Sequence, residues 1–89
     1  MSLEYDSAKS AANKDKHGID FDAAQALWTD GKLVELISRA NVSDEVRYLG
    51  IGRINGKHWT AIFARRGDVI RIISVRRARK EEVEYYESN

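Results

Sequence analysis

The sequence contains no cysteine and no proline, and only two of its 89 residues are histidines. Without cysteine, disulfides, thiolate zinc sites and a cysteine nucleophile are excluded. The two histidines lack the spacing of a metal site, so we expect no metal and no other cofactor. No apolar run approaches the roughly 18 residues of a membrane span, and no basic stretch precedes an apolar one as in a signal peptide. These absences predict a cytoplasmic protein that does not contact membranes.

Positive charge is concentrated in one segment of a chain that is short enough for a single domain over residues 1–89. Residues 1–46 carry a net charge of −4, residues 47–80 of +9 and residues 81–89 of −4, although the whole chain has only +1. Eight of the ten bases in the central segment are arginines, which bind phosphate in a bidentate manner. The pattern favours contact with phosphate or RNA. The alternative is a solvated sheet edge protected by arginines.

Capping residues predict two N-terminal helices that follow a short strand over 2–5. Asp6 is a suitable N-cap for a first helix that runs to Lys16 and stops at Gly18. Asp20 can cap a second helix. Four residues at helical spacing form the buried stripe of this second helix: Phe21, Ala24, Leu27 and Trp28.

The rest of the sequence predicts an antiparallel sheet, followed by a short helix that begins near Arg79. The expected strands cover 33–38, 45–54, 57–65 and 69–77. Asn55-Gly56 is a strong signal for a tight hairpin, and Gly67-Asp68 predicts a second one. This order of elements defines an α+β fold, with N-terminal helices packed on an antiparallel sheet of three or four main strands.

The two turns predict a register, in which Ile54 pairs with Lys57 and Arg66 pairs with Val69. One face of the sheet is then aliphatic, and we expect the helices to pack on it. This face carries Leu49, Ile51, Ile62, Ile73 and Val75, with Arg47, Arg53, His58, Arg71 and Arg77 at its rim. The other face mixes aromatic side chains and arginines with small residues. It carries Tyr48, Trp59, Phe63 and Ile72, with Arg65 and Arg76 among Gly50, Gly52, Ala61 and Ser74. The second face is either a surface that stacks bases and holds phosphates, or a second core layer under the C-terminal helix.

Residues spread over nearly the whole chain resemble the signature of the BrnT toxins. The matching positions are Tyr5, Asp6, Lys9, Asn13, Lys16, His17, Gly18, Phe21, Ala24, Glu45, Arg47, Gly52, Arg71, Ile72, Ile73, Ser74, Arg76, Ala78, Glu82 and Tyr86. The most specific parts are the run Lys16-His17-Gly18 and the sequence RIIS at 71–74.

The resemblance implies a RelE-like fold and a ribonuclease toxin of a type II toxin–antitoxin pair. Such a toxin cleaves mRNA or ribosome-bound RNA without a metal, and thereby inhibits translation. Its partner would be a BrnA-like antitoxin, with which we expect a heterotetramer that contacts DNA only through the antitoxin. From the residues alone, the alternative is a non-catalytic module with a basic sheet surface that binds nucleic acid or docks a partner.

Metal-free cleavage needs a base, an acid and cations that stabilise the charged phosphorane. His17 is one candidate for proton transfer, because imidazole titrates near neutral pH. Its structural alternative is a cation that ends a helix. Glu82 is the second candidate, and its alternative is an ion pair with Arg79. The resemblance and the basic segment together indicate three arginines as stabilisers of the transition state: Arg47, Arg71 and Arg76. The predicted register places Arg76 on the opposite face from the other two, so the three share one shallow site only if the edge or the end of the sheet contributes to it.

Five further residues are predicted to bind RNA: Lys16, Trp59, Arg65, Arg77 and Tyr86. Two of them have a structural alternative, because Trp59 can belong to a core layer and Tyr86 can pack against the sheet. Asp6 is expected to act only as a helix cap, and His58 as a surface residue beside the hairpin turn.

Overall fold

The structure is a computed structural model that describes residues 2–38 and 45–88. Its helices cover Ser7–His17 (α1), Phe21–Ala24 (α2), which continues as a 3₁₀ helix at Gln25–Thr29, and Lys80–Glu87 (α3). Its strands cover Ser2–Glu4 (β1), Val34–Ile37 (β2), Arg47–Ile54 (β3), Lys57–Arg66 (β4) and Val69–Arg77 (β5). The predicted α+β fold with a short C-terminal helix is confirmed.

The strands form one five-stranded sheet in the order β1-β5-β4-β3-β2. The three long strands β3, β4 and β5 are antiparallel, as predicted, and β2 joins β3 in the same way. The short β1 pairs with β5 in parallel, from Ser2 opposite Val69 to Glu4 opposite Arg71. The sheet is therefore mixed rather than purely antiparallel.

The predicted helix caps and the first predicted hairpin turn lie where the sequence placed them. The Asp6 carboxylate accepts hydrogen bonds from the amides of Ala8 and Lys9 at 2.8 and 3.1 Å, which supports its assignment as a cap. Gly18 ends α1 with a φ of 84°, a conformation that glycine adopts without strain. The turn at Asn55-Gly56 has φ angles of 51° and 81°, as a tight hairpin turn requires.

The helices pack on the face of the sheet opposite to the one predicted. The buried core contains Phe21, Ala24 and Leu27 from the helical segment, together with Trp59, Ala61, Phe63 and Ile72 from the sheet. The face with aromatic and small residues is therefore a core layer, under α2 and the 3₁₀ helix rather than under α3. The small residues explain this choice, because a Cβ atom at Gly52 would lie 3.0 Å from Leu27 Cδ2.

A β-bulge in β5 changes the predicted faces beyond residue 72. The register at both hairpin turns is as predicted, but Phe63 pairs with Ile72 while Ile62 pairs with Ser74. Ile73 is therefore an extra residue in β5, and a bulge of this kind moves every later side chain to the other face. Val75 is consequently buried in the core. Arg76 lies opposite Thr60, on the face that carries Arg47.

We predict that Gly52→Ala destabilises the fold by about 1–3 kcal/mol, the usual cost of overpacking a core. The added methyl group would meet Leu27 Cδ2 at 3.0 Å and Asp30 Oδ2 at 3.3 Å. Urea unfolding measures the change. Gly31→Ala is the matched control, because a Cβ atom there meets nothing within 4 Å, and it should stay within about 0.5 kcal/mol of the wild type. Equal losses for the two variants would contradict the packing argument.

Candidate functional site

A cleft of about 620 Å³ lies on the face of the sheet that the N-terminal helices leave open. Its floor is aliphatic and its rim carries three arginines. The described residues that line it are Leu36, Ile37, Ser38, Arg47, Leu49, Ile62, Ile73, Ser74, Arg76, Arg79 and Glu82. Strand β3 supplies Arg47, strand β5 supplies Arg76, and the start of α3 supplies Glu82. The cleft thus combines an apolar surface with cations that can hold an anion.

Arg76 and Glu82 form a bidentate ion pair at one side of this cleft. Arg76 Nη1 and Nη2 donate to the two carboxylate oxygens of Glu82 at 2.7 and 2.9 Å. The Thr60 hydroxyl and the Arg79 amide donate to Glu82 Oε1 as well, at 2.9 and 2.8 Å. Only 19% of the Arg76 side chain and 11% of the Glu82 side chain are exposed, so solvent screens this pair weakly. The structural alternative for Glu82 is an ion pair with the Arg79 side chain, whereas the observed partners are the Arg76 guanidinium, the Thr60 hydroxyl and the Arg79 backbone amide.

These hydrogen bonds determine the protonation of Glu82. Burial alone would raise the pKa of its carboxyl, but the hydrogen bonds from Arg76, the Arg79 amide and Thr60 lower it to about 2. The carboxylate is therefore ionised at neutral pH and is a weak base as long as Arg76 stays on it. In this state Glu82 orients the Arg76 guanidinium.

Arg47 and Arg71 lie in one row across the sheet, each beside Ala64. Arg47 lines the cleft. Arg71 lies beyond it, with Nη1 3.8 Å from Glu4 Oε1 of β1. The prediction that Arg76 faces away from these two arginines is wrong, because the bulge at Ile73 turns it to their side. Arg47, Arg76 and Glu82 therefore meet in the cleft, while Arg71 extends its basic rim.

His17 and Lys16 lie in the last turn of α1, where positive charge complements the helix dipole. Neither residue is among the described residues that line the cleft. The cleft therefore gives no support to a role of His17 in proton transfer or of Lys16 in RNA binding. Both roles stay predictions.

The aromatic rings predicted to stack bases are buried. Trp59 is 8% exposed and packs in the core, with the Arg77 guanidinium 5.4 Å from its ring centre. Tyr86 is 2% exposed, and its hydroxyl donates to Asp30 Oδ2 at 2.7 Å. Burial and the contact with Asp30 raise the pKa of Tyr86 to about 12. Neither ring offers a face on which a base could stack, which favours the structural alternatives for both residues.

Arg65 and Arg77 are exposed on the helix side of the sheet, away from the cleft. The Arg65 guanidinium pairs with Glu35 and lies 5.6 Å from the ring centre of Tyr48. The predicted RNA-binding residues thus do not meet in one place. Sequence reasoning missed Arg79 and Thr60 as parts of the site. The only signal for Arg79 was its position three residues before Glu82, where an N-cap amide meets a capping-box carboxylate.

Two other side-chain contacts hold α3 across the sheet. His58 Nε2 lies 2.7 Å from Glu87 Oε2, and Tyr86 bonds Asp30, whose Oδ2 also accepts the Arg53 amide at 2.9 Å. His58, expected as a surface residue beside the hairpin turn, therefore connects β4 to α3. The contacts fix α3 beside the cleft and give Glu82 its position.

A mixed sheet with three helices and an arginine-rimmed cleft is consistent with the RelE-like toxin fold expected from the sequence. A model of the family of BrnT, the ribonuclease toxin of type II toxin–antitoxin systems, matches residues 5–82. Because this match covers most of the 89 residues, the chain belongs to the BrnT family. Membership implies an RNA substrate and an antitoxin partner. A comparison with curated proteins found no match. Within residues 2–38 and 45–88, no helix is long and apolar enough to cross a membrane.

We predict that Glu82→Gln lowers the free energy of unfolding at pH 7 by about 1.5–3 kcal/mol, the range for hydrogen bonds to a charged group. The folded-state pKa of about 2 lies below the ordinary value of 4.5. The stabilisation by Glu82 is therefore complete above the ordinary value and is lost as the pH falls towards 2. Urea unfolding of both proteins at a series of pH values should show their difference shrinking over this window.

Glu81→Gln is the control for this experiment, because it removes the same charge from an exposed neighbour in the first turn of α3. Its effect on the free energy of unfolding should be small across the same pH range. A difference between Glu82→Gln and the wild type that does not change with pH would contradict the role given to the ionised carboxylate.

Proposed function

We propose that this protein is a metal-independent endoribonuclease that cleaves RNA in the arginine-rimmed cleft and thereby inhibits translation in the cytoplasm. The observation that carries the proposal is the convergence of Arg47, Arg76 and Glu82, which come from three different elements. The proposal assigns the chemistry to these three residues, leaves Arg71 to guide the RNA backbone, and gives His17 a structural role at the end of α1.

Cleavage in this cleft would use the 2′-hydroxyl of RNA as the nucleophile. Its oxygen attacks the adjacent phosphorus as its proton leaves, and the bond to the 5′-oxygen breaks. The released 5′-oxygen takes up a proton from water, and a 2′,3′-cyclic phosphate forms. Negative charge develops on the non-bridging oxygens in the transition state. Arg76 and Arg47 stabilise this charge, and the planar fork of Arg76 matches two phosphate oxygens.

When Arg76 moves from Glu82 to the phosphate, Glu82 also becomes available as the base. In the ion pair, Arg76 lowers the pKa of Glu82, while burial opposes this effect. When the guanidinium turns to the phosphate, Glu82 loses the hydrogen bonds from Arg76 that lower its pKa. The effect of burial then raises the pKa of Glu82. The carboxylate then becomes able to accept the proton of the 2′-hydroxyl. Binding of RNA thus prepares both the cation and the base.

The charge of the cleft favours a reaction without a metal ion. A catalytic Mg²⁺ needs at least one carboxylate that is open to the ion, and Glu82 is the one carboxylate among the described residues that line the cleft. Both of its oxygens bond Arg76. The guanidinium groups of Arg47, Arg76 and Arg79 provide the positive charge that a metal would otherwise bring to the phosphate.

We predict that Arg76→Gln lowers the rate of RNA cleavage by about 10²–10³-fold, the usual loss for one donor to a developing oxyanion. Arg76→Lys keeps an ion pair with Glu82 but not the planar fork, and should also lose most activity. Cleavage of a labelled RNA is followed in EDTA with purified proteins, and circular dichroism verifies their folding. Growth arrest on expression is the parallel measurement in cells.

Lys57→Gln is the control, because it removes one positive charge from an exposed position at the β3–β4 hairpin, and it should cleave at the wild-type rate. Full activity of folded Arg76→Gln would place the chemistry elsewhere. Loss of wild-type cleavage in EDTA would contradict metal independence. Binding of RNA by the wild type without any cleavage would favour the non-catalytic alternative.

We further propose that the antitoxin is BrnA-like, forms a heterotetramer with two toxin copies, and supplies the contact with DNA. Two exposed apolar residues lie near the β2 edge of the sheet. Ile37, 67% exposed, is the last residue of β2 and lines the cleft, and Val46, 46% exposed, directly precedes β3. Among the strands of the described residues, β2 lies at an edge of the sheet, and an edge strand can pair with another chain. These features support an antitoxin contact on this side.

We predict that co-expression with the product of the adjacent reading frame gives a stable complex with two copies of each chain, and that the complex does not cleave RNA. Light scattering of the purified complex measures its mass. Ile37→Glu should weaken the complex, while Tyr85→Glu, at an exposed apolar residue of α3, should not. A complex of a different stoichiometry, or one unaffected by Ile37→Glu, would contradict this part of the proposal.

A further inference from the structure

The bulge at Ile73 divides β5 into two halves, and Arg76 lies in the second half. A bulge interrupts the ladder between two strands, and this one lies between the pairs Phe63–Ile72 and Ile62–Ser74. On the other edge of β5, β1 pairs only with Val69, Ile70 and Arg71. The last residues of β5, from Ser74 to Arg77, pair regularly with β4, but the bulge separates them from the first half of the ladder. On their other side the described part of the chain has no strand.

The buried side chain of Asn13 replaces the missing strand at Val75. Its Oδ1 accepts the Val75 amide at 3.1 Å, and its Nδ2 donates to the Val75 carbonyl at 2.9 Å. A second donation from Nδ2 reaches the Ile19 carbonyl at 2.8 Å. Asn13 is only 7% exposed, and both Nδ2 hydrogens are used. The orientation of the amide is therefore fixed from both sides.

We infer that Asn13 is a positioning residue for Arg76. It clamps the backbone of Val75, the residue directly before Arg76, and so holds the guanidinium at a fixed place relative to Thr60, Glu82 and the cleft. This inference rests on the proposed function, in which Arg76 contacts the phosphate. Catalytic groups must be placed closely, since a displacement of about 1 Å can cost 10²-fold in rate.

Two buried polar residues of α1 permit a matched test. Ser10 also lies in the buried face of α1, and its hydroxyl accepts the Phe21 amide at 2.9 Å. Ser10 thus links α1 to α2 and has no bond to β5 in the described contacts. Asn13→Ala and Ser10→Ala each remove a buried hydrogen-bonding group from one helix, but only Asn13→Ala releases Val75.

The experiment measures hydrogen exchange of the Val75 and Arg76 amides, together with kcat and KM for a labelled RNA. For Asn13→Ala we expect faster exchange at these amides and a loss in kcat of at least about tenfold, with a small change in KM. Ser10→Ala should keep the exchange at residues 75 and 76 and the kcat of its folded fraction. Equal losses of kcat for the two variants, or unchanged exchange in Asn13→Ala, would overturn the inference.

Deletion of Ile73 provides a second test, in which Asn13→Ala is compared between the wild-type background and one without the bulge. Because Ile72 and Ser74 already pair with neighbouring residues of β4, the deletion leaves a regular ladder in which Arg76 still lies opposite Thr60. In this background, Asn13→Ala should lose much less kcat. If Asn13→Ala fails to fold both in the wild-type background and in the Ile73 deletion, Asn13 is a general structural residue and the inference is wrong. Activity of Arg76→Gln would refute only the proposed function. Hydrogen exchange at residues 75 and 76 would still show whether Asn13 holds this part of β5 in place.

Discussion

The close approach of the 3₁₀ helix to the sheet is the constraint on which the rest of the structure depends. Three small residues, Gly50, Gly52 and Ala61, form a shallow groove on one face of the sheet, and Leu27 lies directly over Gly52. A larger residue at Gly52 would press on Leu27 of the helical layer, and one at Gly50 would press on the ring of Phe63. The helices therefore pack on the face of the sheet that has small residues rather than on the face that is most aliphatic.

The position of the cleft follows from this packing. With the helical layer on one side, the aliphatic residues of the other face are covered only in part by α3, which is held by contacts such as Tyr86–Asp30. The remainder, with Leu49 and Ile62, becomes the floor of the cleft. The bulge then brings Arg76 to the same face as Arg47. The packing of the helical layer on the face with small residues leaves the apolar floor open. The extra residue Ile73 then places Arg76 beside this floor, together with Arg47.

The sequence predicts those features that depend on a few neighbouring residues. Caps such as Asp6 and turns such as Asn55-Gly56 act within three or four positions, and their geometry follows the sequence closely. The core face and the bulge depend on distant contacts, such as that of Asn13 with Val75 across 62 positions. The isoleucines in β5 do not indicate a bulge, because they suit either face. The charge pattern therefore predicted an arginine-rich site, but not which arginines share it.

The ion pair of Arg76 and Glu82 links the fold to substrate choice. Glu82 offers two oxygens to the guanidinium fork, at 2.7 and 2.9 Å, so a competing ligand must offer two acceptors in similar geometry. The two non-bridging oxygens of a phosphodiester meet this requirement, whereas a single chloride ion does not. The carboxylate thus holds the guanidinium ready and also weakens its attraction for simple anions. Under the proposed function, selectivity for the nucleic acid backbone comes from the carboxylate that Arg76 leaves as well as from the phosphate that it binds.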